Sequence, residues 1–337
     1  MRKSKGNARH FVAAVLFLLA FARGAPALAA EKLIFALPAV PPVFAGVVAL
    51  VARDAGLFKK YGLEVEVKPF DSGAAAAQAV VAGNVDVSLS PTPVVVRMIS
   101  NANVNLVSIY GMENPDWLLA STDPKLKKCE DLKGEAVGVD SIGGARAVAL
   151  AQFLRPCSLK VEDVKLVPLS SNVSAAMIAG QLKFGVLHLD DVPVMNEQLK
   201  RPVTLIADFK QVNPLSHYLA AVVTTDGLKQ KRDAFVRVLA GLIDATSYIR
   251  DPKNADRVAQ IATATGRTPA QAKEAMAKLL KFDFWPVGHD GLTKANLDSV
   301  IAVEKEIGGI KPGKEPVTYE RLVDHSVWKD GNALVKK

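Results

Sequence analysis

Four short polar segments stand where anion chemistry would be done. Asp71-Ser72-Gly73, Ser90-Pro91-Thr92, Ser141-Ile142-Gly143-Gly144 and Ser170-Ser171-Asn172 each precede a stretch of helical periodicity. Hydroxyls and unpaired backbone N–H groups at helix N-termini, helped by the positive end of the helix dipole, hold small anions. Ser72, Gly73, Ser90, Thr92, Ser141, Gly143, Gly144 and Asn172 are therefore candidate ligand donors. The same residue types cap helices with no ligand involved. Taken singly each reads as a cap, and only the repetition points to a cleft. Arg146 falls in the first turn of the third of these helices, where its charge opposes the dipole. Either it clamps a carboxylate or sulfonate through paired N–H donors, or it pairs with a surface acid.

Other side chains complete the candidate set. Pro38-Ala39-Val40-Pro41-Pro42-Val43-Phe44 is apolar and stiffened by three prolines, so Pro42 and Phe44 form either a rigid ligand wall or core packing. Trp117 follows Glu113-Asn114-Pro115-Asp116 and either covers a ligand or packs between lobes. His217 and Asp190 could touch ligand, Asp190 through an amine or ring nitrogen. Asp191, two residues before Pro193, reads as a helix cap. Catalytic constellations are missing: no phosphate-cradling Walker loop, no G-x-S-x-G and no H-E-x-x-H. His188, His217, His289 and His325 lack metal-site spacing. No metal, cofactor or enzymatic activity is expected.

The elements that position these residues alternate. Short apolar strands at Leu33–Leu37, Glu64–Lys68, Val85–Leu89, Leu106–Tyr110, Ala136–Val139, Lys165–Pro168, Val186–Leu189 and Thr204–Ala207 are interleaved with helical patterns. Such alternation implies βαβ units and doubly wound, mainly parallel sheets. The units are too many for one small sheet, so two α/β lobes fit better. From Lys229 the pattern becomes helical, with helices expected at Ala234–Ile249, Asn254–Thr265, Pro269–Leu280 and Thr293–Ile307. Cys129 precedes a strand and Cys157 ends the helix after it, on the same side of a βα unit, so the two could pair. Two buried thiols would fit the sequence as well.

The first thirty residues read as an export signal. Arg2, Lys3, Lys5 and Arg9 precede the apolar run Phe11–Ala22, and small residues follow up to a cleavage point near Ala29 or Ala30. The run is shorter than the ~20 residues that span a bilayer, and no cysteine follows it to carry a lipid. The chain has 42 basic and 34 acidic residues, but five basics and no acid lie in the leader, leaving 37 against 34. A net charge of +3 with interspersed signs excludes a nucleic-acid stripe.

Four segments in order resemble one family. Gly56-Leu57-Phe58-Lys59-Lys60-Tyr61-Gly62-Leu63-Glu64-Val65 is similar to the "GLF…GL-x-V" signature of exported solute-binding proteins of ABC importers. Ala79–Val87, Asp131–Val139 and Ala175–Gln181 resemble further segments of the same family. The branch is the nitrate/sulfonate/taurine type, which also includes binders of a thiamine pyrimidine precursor. The resemblance implies a type II periplasmic-binding-protein fold: two α/β lobes joined by two crossovers, near Trp117–Thr122 and Tyr218–Thr225. Residues 31–116 plus 226–337 would form lobe one, and 117–225 lobe two. It implies a monomeric periplasmic receptor that holds a small organic or inorganic anion between its lobes and hands it to a membrane permease. Two alternatives are a neutral heteroaromatic held between Phe44 and Trp117, and a sensor subunit that presents its ligand to a signalling receptor. The chain departs from the family at Phe184-Gly185-Val186, where relatives often carry an acid, so no role is carried over there.

Overall fold

The computed structural model describes residues 30–281 and 283–336; the expected export signal lies outside them. Ten strands run in chain order: β1 (Glu31–Pro38), β2 (Leu63–Phe70), β3 (Val87–Pro91), β4 (Leu106–Met112), β5 (Trp117–Ser121), β6 (Ala136–Val139), β7 (Lys165–Pro168), β8 (Phe184–His188), β9 (Thr204–Asp208) and β10 (Leu219–Thr224). They form two five-stranded sheets, in the orders β2-β1-β3-β10-β4 and β7-β6-β8-β5-β9. This is the two-lobed α/β fold that the alternation predicts.

Each sheet carries one strand that runs against its neighbours. β10 is antiparallel to β3 and β4, and β5 is antiparallel to β8 and β9. Both are strands that have just arrived from the other lobe. A chain that enters a sheet from the cleft side must run away from the cleft, while the parallel strands run toward it. The floor of the cleft is therefore built from the carboxyl ends of parallel strands and the first residues of β5 and β10.

The crossings fall earlier than the sequence suggests. Chain passes between the sheets at residues 113–116 and again at 213–218, after the short helix Phe209–Val212. Residues 219–224, expected in lobe two, pair in the first sheet instead. Their apolar pattern suits a central strand in either sheet, and only pairing decides between them.

Local signals hold at the element ends. Gly56 (φ 76°) and Gly62 (φ 71°) take left-handed backbone on either side of the helix Leu57–Lys60, which explains both glycines of the "GLF…GL" segment. In β2, Leu63, Val65 and Val67 face inward while Glu64 and Glu66 face solvent. The helical section beyond β10 includes Thr225–Arg250, Ala255–Ala262, Pro269–Lys281 and Lys294–Glu306, close to expectation, and adds Tyr319–Leu322 and Ser326–Val335. Thr225–Arg250 and Ala255–Ala262 pack on the first-lobe helix Val47–Asp54. One apolar cluster runs through both lobes, from Leu33 and Phe35 through Trp117, Phe209 and Tyr218 to Val137 and Phe184. Cys129 and Cys157 are joined by a disulfide, with Cα atoms 5.9 Å apart. Among the described residues no helix is long and apolar enough to cross a membrane.

Candidate functional site

A narrow cleft, partly open to solvent, lies between the lobes. Pro38, Asp71, Ser72, Gly73 and Pro91 line it from the first lobe, and Asp140, Arg146, Ser170, Ser171 and His188 from the second. Trp117, Tyr218 and Leu219 line it at the arrivals of β5 and β10. Apart from Arg146, Trp117, Tyr218 and Leu219, these residues sit at or just after a strand's carboxyl end, where open parallel sheets bind ligands.

Arg146 is the buried cation of this cleft, with 4 % of its surface exposed. Its helix, Ala145–Leu154, is capped by Asp140, whose carboxylate accepts from the N–H groups of Ala145 (2.9 Å) and Arg146 (3.1 Å). That carboxylate offsets the dipole which Arg146 opposes, and it occupies the anion position at this helix N-terminus. The guanidinium donates from Nη1 to the Val186 carbonyl at 3.1 Å. Its Nη2 stands 3.9 Å from Asp191 Oδ2, an ion pair too long for a hydrogen bond. Most of its five donors therefore have no acceptor among the described residues.

Four surrounding acids, by contrast, accept from the chain, and Asp116, Asp140 and Asp191 do so through both oxygens. Asp116 takes His188 Nδ1 at 2.8 Å and the Leu189 N–H at 3.1 Å. A carboxylate only accepts, so Nδ1 carries the proton, and in the neutral ring Nε2 is left to accept from the Tyr218 hydroxyl at 3.3 Å. Asp191 takes the Ser174 hydroxyl (2.8 Å), the His188 N–H (2.9 Å) and Arg267 Nη2 (2.5 Å). Asp190 takes Arg267 Nε at 2.9 Å. Burial pushes the Asp190 carboxyl up, against the pull of Arg267. Burial acts on Asp191 too, but Arg267, Arg146 and His188 outweigh it and hold that carboxyl low. Burial also raises the Tyr218 hydroxyl well above its ordinary value, so it stays neutral.

Trp117 is 2 % exposed, and its Nε1 is a buried donor with no partner among the described residues. Its ring meets Tyr218 and Phe209 edge-on, at centroid distances of 5.0 and 5.1 Å.

Of the residues singled out in the sequence, the cleft gathers Ser72, Gly73, Trp117 and Arg146. Ser72 is also a cap, its Oγ accepting from the Ala75 N–H at 3.1 Å. Gly73 is required by close packing: a Cβ there would lie 2.1 Å from Pro91 Cδ. Ser141, Gly143 and Gly144 line a neighbouring groove with Arg97 and Lys311. Pro42, Phe44, Asn172 and Asp190 line a third space, which Arg146 and His188 also border. Phe44 and Trp117 thus face different spaces, and Phe44 is part of the core. The alternative reading, a heteroaromatic held between the two rings, needs them to line one space. Ser90, Thr92 and His217 are interior: Ser90 meets Ser88 at 2.8 Å, Thr92 meets His217 Nδ1 at 2.7 Å, and His217 Nε2 reaches the Gly291 carbonyl at 2.8 Å. Burial lowers the His217 pKa to about 4. Thr92 and His217 are consumed where the first lobe packs against the Gly291 turn, and Ser90 within β3.

The sequence reading missed His188, Tyr218, Asp140 and Arg267 as site residues. His188 ends β8, Asp140 follows β6 and Tyr218 immediately precedes β10, a signal available in the strand pattern; Arg267, from the helical section, had none. Asp116, His188 and Asp190 bring donor atoms within 4.8 Å of one another, the grouping a metal would need. Each already has a partner in the chain, which argues against that use.

Sheet topology and cleft together define a two-lobed periplasmic-binding-protein fold. The chain belongs to the NMT1/THI5-like family, whose model matches residues 42–255. It is 23 % identical over 284 residues to a Brucella abortus protein provisionally named a binding protein, covering 84 % of this chain and 78 % of that one. Its fold is similar to that of the nitrate-binding protein NrtA from Synechocystis PCC 6803 (TM-score 0.73, 12 % identity, 91 % of this chain and 89 % of that one). It is also similar to the alkanesulfonate-binding protein SsuA from Xanthomonas axonopodis pv. citri bound to MOPS (TM-score 0.70, 16 % identity, 88 % of this chain and 98 % of that one).

Proposed function

We propose that the chain is the periplasmic ligand-binding component of an ABC importer, a monomer that takes a small anion of the sulfonate, carboxylate or nitrate class between its lobes and delivers it to a permease. One observation carries the choice of anion. Asp116, Asp140, Asp190 and Asp191 all accept from donors of the chain, whereas two buried groups lining the cleft have donors to spare: the Arg146 guanidinium, with one hydrogen bond, and Trp117 Nε1, with none among the described residues. A ligand that completes this site must present acceptors. The apolar faces of Pro38, Val43, Pro91 and Leu219 would exclude water around it.

A thermal-shift screen against sulfonates, carboxylates, nitrate and pyrimidines tests the reading. A ligand at ~100 times its dissociation constant adds ~2.7 kcal/mol of stability. Hits among the anions that are lost in Arg146→Ala support the proposal. Hits confined to pyrimidines, or an affinity untouched by Arg146→Ala, overturn it.

A further inference from the structure

We infer that Arg267 is a positioning residue: by closing onto Asp190 and Asp191 from the first-lobe side, it releases Arg146 to face the cleft. Arg267 lies in the turn between the segment Thr263–Thr265 and the helix Pro269–Lys281, a section anchored through Ala255–Ala262 on the first-lobe helix Val47–Asp54. Asp190 and Asp191 begin the helix that follows β8 in the second lobe. The contacts between them therefore cross the cleft mouth. Arg267 is joined there by Gln271, which donates to Glu197 at 2.8 Å. Ser170 and Ser171 also cross, their hydroxyls donating to the carbonyls of Asp71 (3.0 Å) and Val40 (2.9 Å).

Asp191 stands between two guanidiniums, one from each side. Oδ1 is 2.5 Å from Arg267 Nη2, while Oδ2 is 3.9 Å from Arg146 Nη2. Asp190 and Asp191 are 4 % and 1 % exposed, and a carboxylate so buried needs a counter-charge. With the lobes apart, Arg267 is out of reach. Arg146, on the same lobe as Asp191, needs to move only about 1 Å to make a direct hydrogen bond with it. The guanidinium that is needed in the cleft is then spent on the protein. Closing exchanges the partners: Arg267 takes Asp191, and Arg146 keeps its donors for the cleft. Asp190, whose side chain is paired with Arg267 alone among the described residues, makes the exchange favour the closed form.

The exchange is tested on the ligand-free protein first. Spin labels at the exposed Lys165 and Lys253, one on each lobe, report the interlobe distance. Arg267→Gln is expected to add a longer-distance population, and Asp190→Asn to do the same without additivity in the double variant. Arg146→Ala is expected to lower the urea midpoint more in the Arg267→Gln background than in the wild type, since there Arg146 is the remaining counter-charge of Asp191. An unchanged distance distribution, or equal midpoint losses in the two backgrounds, overturns the inference. Only the last step rests on the anion reading: Arg267→Gln should weaken methanesulfonate binding at least tenfold. If wild-type protein ignores methanesulfonate, acetate and nitrate alike while the distance and midpoint results hold, the anion reading fails and the exchange stands.

Discussion

Glu304→Gln should change how the stability of this protein depends on pH. Glu304 has no exposed surface, and neither of its carboxylate oxygens has a hydrogen-bond partner among the described residues. Arg97 Nε lies 3.1 Å from one of them, outside hydrogen-bond geometry. Burial, only partly offset by Arg97, raises the carboxyl from its ordinary 4.5 to about 7. The unfolded chain gives up this proton near 4.5, while the folded protein holds it until about 7. Across that window the folded state binds more protons, so stability falls as pH rises. The gap, at ~1.4 kcal/mol per pH unit, is a loss of about 3 kcal/mol. Glutamine fills the same space and does not ionise. Urea unfolding of both proteins, read as their difference, cancels every other titrating group. The variant should gain about 3 kcal/mol on the wild type between pH 4.5 and 7, with no further change above. A pH-independent difference would refute the reasoning, because it would mean that Arg97 keeps Glu304 ionised throughout.

Three further outcomes follow from the same structure. His217 is held by burial at a pKa of about 4 against an ordinary 6.5, so the unfolded chain takes up its proton first and stability falls as pH drops through that window. His217→Gln should remove this slope, which in the wild type opposes that of Glu304, leaving a steeper fall with rising pH; an unaltered profile would contradict it. Reducing the Cys129–Cys157 disulfide, with its sequence separation of 28, should cost ~3.5 kcal/mol by chain entropy; a urea midpoint unmoved by reductant would count against that. Gly73→Ala should destabilise by ~1–3 kcal/mol, since the new Cβ meets the Pro91 ring at 2.1 Å and Pro91 is fixed in β3; a neutral variant in the same unfolding assay would show that the ring can move.

The site was partly legible in the sequence. Arg146 was recognisable because a cation in a helix's first turn breaks a local rule, and the break has a visible cause in Asp140. The polar loops were correctly placed at strand ends, but hydroxyls there look alike whether they face a cleft or the interior. Ser72 and Ser90 illustrate this: one lines the cleft and caps a helix, while the other is sealed against Ser88. The spacing of His188 marks no site, because its partners Asp116 and Tyr218 lie 72 and 30 positions away.

By itself, the sequence determined what depends on neighbours along the chain. The alternation of strand and helix, the glycine-capped turns at Gly56 and Gly62, the inward face of β2 and the helical section after β10 all follow from local sterics and the periods of apolar burial. Tertiary structure alone decided where β10 pairs, that Phe44 and Trp117 face different spaces, and that Arg267 reaches Asp190 and Asp191 from 77 and 76 positions away. These depend on which unmatched groups meet when two sheets close on each other, and residue type does not encode that distance. An apolar run makes a strand without naming its partner, and an arginine carries a charge without naming its acid.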